Sequence, residues 1–337
     1  MRTVNVGLIG AGRIGKLHAE HLAFRIPQAN LVTVTDIYVE AAQKCAADFN
    51  IPNASHDHRA VMDDPNIDAV VICSSTNTHA QMIEEAAAAG KHIFCEKPID
   101  FDLARIDKAL QSVDDAGVKL MVGFNRRFDP NFKRVRDLVA EGAVGTPHIL
   151  KITSRDPGPP PIEYVKVSGG IFLDMSIHDF DMARYLVGSE VEEVYVAGGV
   201  MVDPAIGAAG DIDTAVITLR FANDVIGVID NSRKAVYGYD QRAEVFGSAG
   251  VVSADNNYPN TVTIGDAQRI HRDLPLNFFM ERYTESYIAE MREFIACVLE
   301  DRVPPVTGVD ARIPVVIGTA ARQSYEQHRP VKLSEVA

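Results

Sequence analysis

The chain of 337 residues holds four cysteines, Cys45, Cys73, Cys95 and Cys297, and no two of them stand in C-x-x-C spacing. Two of them end apolar runs, so reduced core thiols are expected rather than disulfides, and no metal site is expected. Long apolar runs are missing as well. None approaches the roughly 20 residues that span a bilayer. An apolar strand begins three residues after Met1, which leaves no space for a signal peptide. The expectation is a cytoplasmic protein without membrane association. Positive charge is scarce: 33 Lys and Arg stand against 46 Asp and Glu, a formal net charge of −13, with a pI near 5.2. A field of that sign repels polyanions, so nucleic acid and anionic membrane surfaces are poor partners and a neutral or cationic small molecule is a better one. With 47% hydrophobic residues, a chain of this length can build two cores, and two domains are expected.

The first 24 residues carry the clearest motif. An apolar run from Val4 to Ile9 reads as a buried parallel strand and flows into Gly10, Gly12 and Gly15, then into a helical pattern from about Arg13 to Phe24. Gly10 suits the tight turn, Gly12 lets backbone approach a pyrophosphate, and Gly15 allows close helix packing. Arg13, Ile14 and Gly15 open the helix whose N–H groups face the phosphates. The second strand, LVTVTD, ends in Asp36, 21 residues beyond Gly15, where a carboxylate accepts from the adenosine ribose hydroxyls. Ile37 and Tyr38 offer no cation to a 2′-phosphate, so the expected cofactor is NAD in preference to NADP.

Strands and helices then alternate. Helices are expected at about Val39–Phe49, Thr78–Ala89 and Leu103–Ala116, between the strands DAVVICS, KHIFCEKP and VKLMVGF. Such a succession implies a parallel sheet with right-handed crossovers. Ligands bind beyond the carboxyl ends of such strands. This nominates Ser74, Thr76, Asn77 and His79 after one strand, Glu96, Lys97 and Pro98 after the next, and Asn125, Arg126 and Arg127 after the last.

From Phe124 onward the pattern changes. The first domain is placed at 1–123 and the second at 124–337. A helix at about Pro130–Glu141 precedes period-two runs such as HILKITSR, DTAVITLRF and DVIGVIDNS, which read as a large open, mostly antiparallel or mixed sheet. Prolines make the run from Asp156 to Tyr164 a rigid loop. Long helices are expected at about Tyr283–Glu300 and Ile313–Gln327. Between strands lies SGGIFLDMSIHDFDMARYL. If 171–186 is one helix, Ile171, Asp174, His178, Asp181 and Tyr185 share a narrow stripe. An imidazole beside a carboxylate suits a general base, and a solvated helix face is the plain alternative. To act on a bound dinucleotide, this stretch would need to face the first domain across a cleft.

The glycine fingerprint, Glu96-Lys97-Pro98 and GGIFLDMSIHDFDM, in this order and spacing, resemble the Gfo/Idh/MocA oxidoreductase family from end to end. VGFNRRFDP at 122–130, TSRDPGPPP at 153–161, NSRKAVYGYDQR at 231–242 and FFMERYTESY at 278–287 resemble the loops of its inositol-oxidising members. The resemblance implies an α/β fold with an N-terminal Rossmann domain and a C-terminal open-sheet domain. It implies NAD-dependent oxidation of myo-inositol to a 2-keto inositol, with Lys97, Asp174 and His178 catalytic. Asp174 would either orient His178 or accept from a neighbouring hydroxyl. Arg127, Asp156, Tyr239 and Tyr283 would bind the polyol, with Asp181 in support. It also implies a homotetramer. Another inositol isomer or an aldose is the nearest alternative substrate. An NAD-dependent glycosidase and a non-enzymatic NAD-binding regulator stand further off.

Overall fold

β-Branched and aliphatic residues dominate six short strands, β1 (Val4–Ile9), β2 (Ala29–Thr35), β3 (Asn53–Ser55), β4 (Ala69–Ile72), β5 (His92–Glu96) and β6 (Leu120–Gly123). Helices connect them: α1 (Arg13–Phe24), α2 (Val39–Phe49), α3 (Arg59–Met62), α4 (Thr76–Ala88) and α5 (Leu103–Ala116). In the computed structural model, which describes residues 2–336, the strands form a parallel sheet in the order β3-β2-β1-β4-β5-β6. Every residue of β4 and β6 is buried, as expected for strands covered on both faces. The order reverses between β1 and β4, and ligands of open α/β sheets bind beyond the strand ends at such a point. Helix α4 starts at Thr76 rather than Thr78. Ser75, extended at its N-cap, supplies the carbonyl that takes the Thr78 N–H and hydroxyl, and the Thr-Asn-Thr run hides that start from a propensity reading.

The second sheet has seven strands in the order β12-β11-β7-β10-β9-β8-β15. In chain order this part runs α6 (Pro130–Ala140), β7 (Pro147–Arg155), α7 (Ile162–Val165), α8 (Gly170–Asp174), α9 (Ser176–Val187), β8 (Val191–Gly199), α10 (Pro204–Ala208), β9 (Thr214–Phe221), β10 (Ile226–Ser232), β11 (Asp240–Gly247) and β12 (Gly250–Ala254). A small ribbon of β13 (Thr263–Gly265) and β14 (Ile270–Arg272) follows, then α11 (Phe279–Arg282), α12 (Thr284–Leu299), α13 (Gly308–Gln327) and β15 (Val331–Lys332). Only β7 and β10 pair in parallel; the other ladders of this sheet are antiparallel. Alternation is strict in β9, where Ala215, Ile217, Leu219 and Phe221 are buried and Val216, Thr218 and Arg220 are exposed.

The structure divides into two units, one of residues up to 125 together with 285–313, the other of 126–284 with 314–336. A second domain running without a break from 124 to 337 does not include this return. Its cause is apolar packing: Phe294 of α12 stacks on Phe94 of β5 at 5.8 Å, and the Val122 N–H donates to Val306 O. Helix α13 starts five residues earlier than Ile313, because Thr307 and Asp310 bond reciprocally at its start. Pro314 lies inside α13, at its seventh residue, where it removes one intrahelical N–H bond.

Candidate active site

In the first unit the glycine loop has the form its sequence suggests. Gly10 adopts φ +98°, and a Cβ on Gly15 would stand 1.9 Å from Gly10 O, so neither position accepts a side chain without rearrangement. Gly12, at the N-cap of α1, opens on free space: a Cβ there would meet nothing within 4 Å. No side chain caps this 12-residue helix and its first turn holds no acid. Its leading N–H groups lack intrahelical acceptors and are suited to an anion. Asp36 ties the crevice together, accepting from Ala11 N–H at 2.7 Å and from Tyr38 N–H at 2.9 Å, and each oxygen retains a lone pair for a ribose hydroxyl. Ile37 and Tyr38 are 82% and 71% exposed and uncharged. These residues fit NAD.

The strand-end residues divide by exposure. Thr76 is half-buried and Asn77 exposed at the start of α4, and half-buried Ser74 bonds Thr78 through its hydroxyl at 2.7 Å. His79 is 2% exposed, and its two nitrogens meet Pro98 O at 2.8 Å and Ser74 O at 3.0 Å. It is placed as a clamp between two strand ends, which leaves no ring nitrogen for the cofactor. Glu96 is also largely enclosed and meets His18 Nε2 at 2.7 Å. Half-buried Lys97 follows it directly.

In the second unit the expected single helix over 171–186 is two, α8 and α9, broken at Met175. Gly169 and Gly170, both at positive φ, bring the chain in. The Ser176 hydroxyl donates to Asn231 Oδ1 at 2.6 Å, and the Asn231 amide donates to Asp179 Oδ2 at 2.9 Å and to Ser154 O, which pins the start of α9 to β10 and β7. Ten of the twelve residues of α9 are buried, so its charges must be paired. Asp179 takes Arg126 at 2.6 Å and Asp181 takes Arg127 through two nitrogens. Of the expected polar stripe, Asp174, His178 and Tyr185 stay half-buried.

Asp174 is held from two sides. Tyr164 donates its hydroxyl to Oδ1 at 2.9 Å, and Arg233, 3% exposed, donates to Oδ2 at 2.8 Å. The same Arg233 nitrogen lies 3.6 Å from Asp156. One guanidinium thus serves two carboxylates. Asp156 yields: burial, reinforced by the Asp174 charge and opposed by Arg233, pushes its pKa up to about 6.

The other expected polyol contacts are deeper. Arg127 is engaged with Asp181 and lies 5.4 Å over the Tyr185 ring. Tyr239 is 7% exposed, takes a 3.5 Å bond from Arg126, and burial pushes its phenol pKa up. Tyr283 is 2% exposed and donates to Gln241 Oε1 at 3.3 Å. Contact with a substrate would require Tyr283 to exchange that bond. Sequence does not single out Tyr164, Asn231 or Arg233 individually, although Asn231 and Arg233 lie within the 231–242 stretch that resembles a loop of the inositol-oxidising members.

Among the described residues no group of three or more His, Cys, Asp or Glu could hold a metal ion, and no helix is long and apolar enough to cross a membrane. Residues 4–124 match the model of an oxidoreductase family with an NAD-binding Rossmann fold, and residues 132–253 match that of the GFO/IDH/MocA C-terminal domain. The chain is 50% identical to the myo-inositol 2-dehydrogenase of Thermotoga maritima, covering 99% of each protein. It is 45% identical to the inositol 2-dehydrogenase of Rhizobium meliloti, over 98% of this chain and 100% of that protein. The crystal structure of the scyllo-inositol dehydrogenase of Lactobacillus casei with bound NAD(H) and scyllo-inositol superposes with a TM-score of 0.93 at 28% identity, over 99% of this chain and 100% of that one.

Proposed function

The chain belongs to the Gfo/Idh/MocA oxidoreductase family, and from that premise we propose that it oxidises myo-inositol to 2-keto-myo-inositol with NAD as hydride acceptor. The observation that carries this reading is the fixing of Asp174 by Arg233 and Tyr164, four residues ahead of a half-buried His178. An acceptor so anchored is suited to an alcohol hydrogen-bonded in a set orientation, and the inositol dehydrogenases similar to this chain act on such alcohols.

The chemistry that NAD supplies is uptake of the hydride from the carbinol carbon. The chain's own residues do the rest. Gly10, Gly12, Arg13, Ile14 and Gly15 present backbone to the pyrophosphate, and Asp36 accepts from the adenosine ribose. Ser74, Thr76 and Asn77 border the crevice at the end of β4, with His79 as the clamp behind them. Glu96 and Lys97 serve the nicotinamide end. His178 accepts the hydroxyl proton, acting as general base. Lys97, as a cation, donates to the oxygen while it gains alkoxide character. Asp174 orients His178 or accepts from an adjacent hydroxyl, and Asp156 and Arg127 take further hydroxyls.

We propose further that four chains associate. The outer face of the seven-stranded sheet supports this: Ile149, Tyr195, Val216, Ile226, Phe246 and Val251 share one side of the ladders and are 41–57% exposed. Of these, Ile226, Ile149, Phe246 and Val251 form one cross-strand row, and exposed large apolar side chains grouped in this way are uncommon on a monomer. Dependence on the intracellular NAD pool supports a cytoplasmic location.

The test is a panel of myo-inositol, scyllo-inositol and glucose followed by NADH formation. The highest kcat/KM is expected with myo-inositol. Preference for scyllo-inositol would reassign the isomer, and no NADH with any polyol would remove the reading.

A further inference from the structure

Helix α12 carries an acid without a hydrogen-bond partner among the described residues. Glu290 is 0% exposed and both its carboxyl oxygens are buried and unpaired. Tyr287, Glu290 and Phe294 stand at i, i+3 and i+7, one face of the helix. Their neighbours show where that face points. The Tyr287 ring lies 5.7 Å from that of His18, and Phe294 lies 5.8 Å from Phe94. Phe94 and Glu96, two apart on β5, point to the same side of the strand. His18 packs edge-on against Phe94 at 5.2 Å while holding Glu96 at 2.7 Å. Glu290 therefore faces the His18–Glu96 pair among three aromatic rings, under the end of the strand that continues into Lys97.

A carboxylate in that place would have lost its water and gained neither donor nor cation, so the group is a neutral acid. Burial, then the negative charge of Glu96, push its pKa well above the ordinary carboxylate range. The titratable groups around it are His18 from α1, Glu96 and Cys95 from β5, and Cys73 at the end of β4. Both thiols are pushed up by burial and by the Glu96 charge, so they stay uncharged. His21, one turn along α1 from His18, is pushed down to about 4 by burial and is neutral as well.

An acid kept neutral this way costs stability. The unfolded chain releases the proton near the ordinary pKa and the folded one holds it, so stability falls with rising pH throughout the interval between. Glutamine would avoid that cost, and the reaction as derived above makes no use of Glu290.

We propose that Glu290 is a positioning residue for the cofactor side of the reaction: as a neutral acid beside the Glu96 carboxylate it keeps a single negative charge under the end of β5, and so holds Glu96 and Lys97 in register. Loss of its proton would set two carboxylates against each other beside the His18–Glu96 bond, and Glu96 would shift, taking Lys97 with it. The inference rests on the roles given above to Glu96 and Lys97.

Two measurements on the intact enzyme test it, and neither needs inositol turnover, so a wrong substrate would leave both readable. The first is infrared spectroscopy at neutral pH. The expected result is a deuterium-sensitive band of a buried protonated carboxyl in the native protein that Glu290→Gln lacks; identical spectra overturn the neutral state. The second is calorimetric NADH affinity from about pH 6 to pH 10, a span that covers ionisation of a strongly raised acid. Native affinity should fall on the alkaline side and Glu290→Gln should flatten that fall, whereas Glu290→Ala should weaken binding by roughly tenfold, about 1.4 kcal/mol, at neutral pH. An alkaline limb unchanged in Glu290→Gln, or a loss in Glu290→Gln as large as in Glu290→Ala, overturns the positioning role.

Discussion

Arg233 donates to Asp174 at 2.8 Å while the same nitrogen stands 3.6 Å from Asp156. A planar guanidinium can serve two carboxylates, and an ammonium on a flexible stem serves them less well. Arg233→Lys should therefore raise KM for inositol by about tenfold, roughly 1.4 kcal/mol, with NAD affinity unchanged. Steady-state kinetics paired with NAD titration checks this, and equal losses in both would point to a general folding defect.

Asp156 gives the site a pH dependence. Its folded pKa, about 6, lies above its unfolded value, so the folded state binds the extra proton. Stability is highest below the unfolded pKa, about 3.9, and falls as pH rises toward the folded one, by at most roughly 3 kcal/mol. Asp156→Asn should remove that slope. In the native enzyme, log KM for inositol should change slope near pH 6. Thermal unfolding of both proteins across this interval is the check, and parallel curves would contradict it.

Cofactor choice turns on Asp36, which has no cation beside it in sequence. NAD should be preferred over NADP by at least about tenfold in kcat/KM, roughly 1.4 kcal/mol, and Asp36→Ala should narrow the gap. Equal use of both cofactors by the native enzyme would refute this.

The exposed sheet face yields a mass prediction. Light scattering should return about four times the 36.7 kDa of one chain. Ile226→Lys, in the middle of that face, should shift the mixture toward smaller species. A native mass of one chain at micromolar concentration would sink the assignment.

Much of this was readable in advance where periodicity or a motif carried it. The run from Val4 through Gly15 to Phe24 announces strand, turn and helix at once, and Asp36 follows at a telling distance. Position in the motifs likewise nominated Lys97, Asp174 and His178. Less visible was what depends on distant partners. Nothing local says that Asp181 is bound by Arg127, that the helix breaks at Met175 where Ser176 meets Asn231, or that Arg233 bridges two carboxylates. The return of 285–313 to the first unit is hidden for a related reason: an apolar helix face, such as Tyr287, Met291 and Phe294, shows that it must pack and not on what. Glu290, an ionisable side chain inside that face, was the anomaly that sequence could have flagged.

The central claim is that His178 takes the alcohol proton, and kcat of His178→Ala at saturating inositol tests it most directly. A positioned general base supplies on the order of 10² to 10⁴ in rate. The variant should lose about that factor in kcat while NAD affinity barely changes, and in the native enzyme turnover should fall as pH drops and the imidazole becomes protonated. Lys97→Met, measured alongside, should lose turnover while still binding substrate. A His178→Ala enzyme whose kcat is near native and whose KM alone has risen would contradict the account and leave Lys97 as the base.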